Sequence, residues 1–101
     1  MTMITDPVSS KPAGLIDKGD QYLDSTALAT AVGLTVPTGA RVALIQCEGQ
    51  AVRWRNNAQT PTSTIGIKLD AGDSIFYIGE LDKIRFIQTA AGASISIQYY
   101  W

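Results

Sequence analysis

The chain has 101 residues, enough for one hydrophobic core and not for two, and its 46% hydrophobic and 17% charged side chains describe a domain that packs. Eight Lys and Arg against nine Asp and Glu leave a formal charge of −1, without the strong basic field that holds a phosphate backbone, so no nucleic-acid partner is expected. His is absent and Cys47 is the single cysteine, which removes the commonest general base, the commonest metal ligand and any internal disulfide.

Residues 1–21 carry Pro7, Ser9, Ser10, Pro12, Gly14 and Gly19 with scattered apolar side chains. That composition predicts an extended N-terminal arm, anchored through Ile4, Val8, Leu15 and Ile16, ahead of a single β domain over residues 22–101. No apolar run approaches the roughly 20 residues that cross a bilayer. No cationic region precedes an apolar one near the start, so the reading is of a soluble chain, with neither membrane partner nor signal peptide.

From Leu28 the apolar period is close to two, with Leu28, Val32, Leu34 and Val36 on one side, which predicts a strand ending at Pro37. Further runs rich in β-branched and aromatic residues follow at Arg41 to Glu48, Ala51 to Arg55, Ile65 to Leu69, Asp73 to Ile78, Lys83 to Gln88 and Ala93 to Tyr100. About seven strands are expected by this pattern. Turns of one kind, Val36 to Ala40, Leu69 to Asp73 and Thr89 to Ala93, each end in Gly and one more residue, while Asn56 to Thr64 makes the one longer loop. The fold class read from this spacing is all-β: an antiparallel jelly-roll-like sandwich or a small barrel.

The chemistry is sparse. Cys47 lies in the apolar run Val42 to Cys47, where a thiol acts as a small hydrophobe. The carboxylates Asp17, Asp20, Asp24, Asp70, Asp73, Glu80 and Asp82 fall in the arm or in turns, and the spacing of the first three does not match a calcium loop. No Gly-rich run opens a helix to cradle phosphate. A non-enzymatic protein with no cofactor and no metal is therefore expected. Arg53-Trp54-Arg55 alternates cation and aromatic on a strand, a candidate ligand face for stacking; the simpler reading puts Trp54 in the core and both arginines in solvent, paired with Asp or Glu. Tyr100 and Trp101 close the chain as candidate protein contacts.

The string Gly39 to Glu48, then Val52 to Arg55, Pro61-Thr62 and Gly66, is similar to a family of short proteins encoded among tailed-phage virion genes. The resemblance continues through Leu69 to Asp73, Tyr77, Gly79, Leu81, Ile84 to Ile87 and Ala91 to Ala93 to Tyr99-Tyr100, covering roughly residues 28–101. It implies a β jelly-roll-like virion component that decorates or cements the capsid, or sits at the head-to-tail joint, with no catalytic residues. Many members of that family carry Asp-Asp-Gly where this chain has Asn56-Asn57-Ala58, which speaks against a cation-binding or tight-hairpin role for that loop.

Joined to the composition, the resemblance implies a structural virion protein, assembled in the host cytoplasm, that binds the major capsid protein or other virion subunits as a homo-oligomer, with a trimer favoured. The arm would reach a neighbouring subunit, so deleting residues 2–21 should spare folding and abolish capsid binding. The alternative in a different class is a carbohydrate- or receptor-binding β module using Arg53, Trp54 and Arg55 or the Asn56 to Thr64 loop.

Overall fold

The period-two runs become strands of two antiparallel sheets in the computed structural model, which describes residues 15–101. Eight strands follow one another: β1 Asp17–Leu23, β2 Val32–Gly33, β3 Val42–Glu48, β4 Val52–Arg55, β5 Ile67–Leu69, β6 Ser74–Ile78, β7 Arg85–Gln88 and β8 Ser94–Tyr100. One sheet has the order β1-β8-β3-β6 and the other β2-β7-β4-β5. The chain is thus wound as a nested ribbon, first strand on last, second on seventh, third on sixth and fourth on fifth. This is a sandwich of two sheets.

Alternation decides which side chains meet between the sheets. Ala43, Ile45 and Cys47 of β3 and Ile95, Ile97 and Tyr99 of β8 face Val52, Leu69 and Phe86 of the opposite sheet, all in one buried cluster. Leu28, Leu81 and Ile84, outside the strands, join the same cluster. Each such aliphatic side chain, fully buried, contributes about 1.5–3 kcal/mol relative to exposure. All three Gly turns reverse the chain where the sequence places them; the amide of Ala40 returns to the Pro37 carbonyl and that of Asp73 to the Asp70 carbonyl.

Two expectations are corrected. The arm does not extend to residue 21: Asp17–Leu23 is an edge strand, paired from Asp17↔Tyr100 to Leu23↔Ile95 with an irregularity between Asp17 and Gly19. Its composition hid it, because β1 exposes most of its residues and needs no apolar alternation. This strand brings the count from seven to eight, and the β domain begins by Asp17 rather than residue 22.

The run from Leu28 to Pro37 is likewise not one strand. Ala27–Ala29 forms a short 3₁₀ turn, and only Val32–Gly33 pairs, with Phe86 and Arg85. Asp24 starts the turn, its Oδ1 accepting the Ala27 amide at 2.9 Å and its carbonyl the Leu28 amide at 3.0 Å. An Asp ahead of alanines favours a helical turn. Leu28 is still buried, as a plug and not as a strand residue.

Candidate functional site

The outward face of the first sheet is apolar at one end and polar at the other. Cross-strand registers place Tyr100, Val42 and Ile78 in one row, Gln98, Leu44 and Phe76 in the next, and Ser96, Gln46 and Ser74 beyond. Ile78 is 73% exposed, and Leu44 and Phe76 are half-buried. An outward sheet face that serves only as a solvent surface is polar, and here a wholly polar row comes only after the first two.

The predicted contact residues gather at that same end. Ile16 and Trp101 exchange backbone hydrogen bonds of 3.4 and 2.8 Å, next to the Asp17↔Tyr100 pair. Ile16 is exposed, Leu15 half-buried, and Trp101 47% exposed with the Arg41 guanidinium 5.0 Å from its ring centroid. Tyr100 is only 2% exposed and packs at 6.4 Å against Phe76, so of the two terminal aromatics it is Trp101 that stays accessible. Burial and the Asp17 charge raise the Tyr100 pKa. Ile4 and Val8 lie outside the described residues.

The Arg53-Trp54-Arg55 run divides between the two sides of its sheet. Trp54 pairs in register with the buried Phe86 and meets Tyr77 edge-to-face at 5.9 Å, packed against the core. Arg53 and Arg55 face outward, as the simpler reading of the sequence has it, but among the described residues Arg53 pairs with no carboxylate. Its Nε donates to the Ser63 carbonyl at 3.3 Å and its Nη1 to the Gly66 carbonyl at 2.9 Å, tying the 56–66 loop to β4. Arg55 stands directly opposite Arg85. The three residues do not form one stacking platform, because a strand sends neighbours to opposite faces.

Beside Trp54 the sandwich end is hollowed. An open depression of about 510 Å³ is lined by Asn56, Asn57, Ala58, Tyr77, Gly79, Glu80 and Lys83. Ala58 holds a left-handed φ of 62°, its amide donating to the Lys83 carbonyl at 3.0 Å. Asn57 Oδ1 accepts the Gln59 amide at 3.3 Å, closing the turn from its other side.

Comparison with family models, curated proteins and solved structures finds no match.

The remaining reactive groups sit in structural settings. Cys47 is fully buried, its thiol donating to the Gln50 carbonyl at 3.0 Å, and burial raises its pKa, away from the nucleophilic thiolate. Asp17 and Asp20 are on the exposed β1 rather than in an arm. Among the described residues no group of three or more His, Cys, Asp or Glu is placed to hold a metal ion.

Sequence reasoning missed Phe76 and Ile78 as surface residues and Arg85 and Lys68 as neighbours of Arg53 and Arg55. Each lies on a strand whose periodicity was legible. What could not be read was the pairing: β6 beside β3 and β7 beside β4 bring together residues 30 or so positions apart.

Proposed function

We propose that this protein is a non-enzymatic structural component of a phage particle that decorates or cements the capsid by binding capsid subunits as an oligomer. The carrying observation is the apolar end of the outward β1-β8-β3-β6 face, where Leu44, Phe76 and Ile78 stand exposed or half-buried beside Val42, Tyr100 and the Ile16–Trp101 corner. A contiguous apolar patch of this kind on a small domain is the signature of a protein contact. The nested strand winding supports a jelly-roll-like architecture, and the virion setting rests on the resemblance read in the sequence over residues 28–101.

In this reading the patch is the contact between copies, arranged as a trimer, and the N-terminal segment reaches from the Ile16 corner toward the neighbour. Repetition over a symmetric shell multiplies weak individual contacts, so modest affinity per copy suffices. The head-to-tail joint is the alternative position on the particle.

The test is the mass of the purified protein in solution, followed by co-sedimentation with purified virions or empty capsids. An oligomer that co-sediments at a fixed ratio is expected, with Ile78→Asp giving a folded monomer, since Ile78 is 73% exposed and its replacement leaves the core intact. A wild-type monomer that ignores capsids overturns the reading.

A second reading has one observation in its favour. The depression around Tyr77, Asn57, Glu80 and Lys83 combines an aromatic ring with amide, carboxylate and ammonium groups, the mixture that recognises a saccharide. Binding on a glycan array that is lost in Tyr77→Ala would favour this carbohydrate-binding role.

A further inference from the structure

The outward face of the β2-β7-β4-β5 sheet concentrates positive charge. Its outward positions are Gly33, Arg85, Ile87, Arg53, Arg55 and Lys68, placed side by side by the registers Gly33↔Arg85, Arg55↔Arg85, Arg53↔Ile87 and Arg53↔Lys68. Four of the eight basic residues of the chain lie there, leaving four bases against nine acids for everything else. A nearly neutral protein is therefore strongly polarised, with one cationic sheet face on an otherwise acidic body.

The local arrangement is unfavourable for the isolated fold. Arg55 and Arg85 are direct cross-strand partners, and like charges in that relation destabilise a sheet. The one ion pair among the described residues, Lys68 to Asp70 at 3.4 Å, relieves only the margin of the cluster. Two features hold the cations in place all the same. Arg53 is clamped by two backbone carbonyls, and the missing side chain of Gly33 leaves space for Arg85, whose Nη1 lies 3.0 Å from where a Cβ at residue 33 would be.

We propose that this face docks an acidic polypeptide segment, its carboxylates meeting Arg55, Arg85 and Lys68 while Ile87 supplies an apolar contact between them. A nucleic acid fits less well. Trp54, the aromatic that would stack a base, is turned inward against Tyr77. Guanidinium groups instead suit bidentate recognition of carboxylates. The inference stands apart from the virion reading, since it concerns the opposite sheet and needs no capsid.

The test uses the full chain and a fluorescein-labelled oligo-glutamate peptide, followed by anisotropy, with a single-stranded oligonucleotide of equal charge as comparator. Peptide binding that weakens with added salt, exceeds oligonucleotide binding, and falls at least about tenfold in Arg55→Gln/Arg85→Gln is expected. This double variant removes a repulsion and so retains the fold, which circular dichroism verifies. Lys18→Glu, a charge reversal on β1 of the other sheet, should bind as the wild type does. No peptide binding by the wild type, tighter oligonucleotide binding, or equal loss in Lys18→Glu overturns the proposal.

Discussion

The hydroxyl of Tyr99 in the last strand donates a 2.6 Å hydrogen bond to Gln21 Oε1 in the first, and the same oxygen accepts the Thr35 amide at 3.0 Å. One amide oxygen thus joins β1, β8 and the segment after β2, and Tyr99 itself is fully buried. Tyr99→Phe removes the donor and leaves Gln21 with its second partner. It should lower unfolding free energy by about 1 kcal/mol, measured as a shift of the urea midpoint at unchanged slope.

The same burial sets an alkaline limit. Desolvation pushes the Tyr99 pKa up from 10.0 to about 12, so the unfolded chain ionises first. Between those values the folded state binds more protons than the unfolded one, and stability falls as pH rises, by at most about 1.4 kcal/mol per pH unit for this group. Its contribution is complete below pH 10. Tyr100 and Cys47, raised by burial as well, act in the same direction. Urea titrations stepped from pH 9 upward should show the decline, and Tyr99→Phe should flatten it.

Truncation separates arm from strand. Removing residues 2–14 keeps every β1–β8 pair, from Asp17↔Tyr100 to Leu23↔Ile95, and should preserve the β-sheet circular dichroism spectrum. Removing residues 2–21 deletes most of β1 and takes away the acceptor of the buried Tyr99 hydroxyl. The sequence-based expectation that this longer deletion spares folding is therefore reversed. A lost or strongly destabilised thermal transition is expected, because a buried donor without a partner adds about 1–3 kcal/mol to the loss of the ladder.

Two backbone positions should respond in opposite directions. Gly49 has a φ of 83°, and a Cβ there would collide with the Gly92 carbonyl oxygen, where two turns meet. Gly49→Ala should destabilise by about 3 kcal/mol or more, or prevent folding. Ala58, the one non-glycine with positive φ among the described residues, holds 62°. Ala58→Gly should stabilise by about 1 kcal/mol, since the left-handed conformation disfavours a Cβ by that order. Thermal melts of both variants give the sign directly.

Residue order alone determined the all-β class, the three Gly turns and the buried role of Cys47, because alternation and turn chemistry act over a few neighbouring residues. It could not determine β1, whose exposed charged residues carry no periodic signal, or the end of the Leu28 to Pro37 run, where Asp24 and alanines favour a turn that the spacing of Leu28 and Val32 concealed. The two outward faces were decided only by tertiary pairing. Phe76 and Ile78 become a patch because β6 lies beside β3, and Arg85 and Lys68 join Arg53 and Arg55 because β7 and β5 flank β4. Those neighbours come from loop closures across the nested winding, a long-range choice that no local preference encodes.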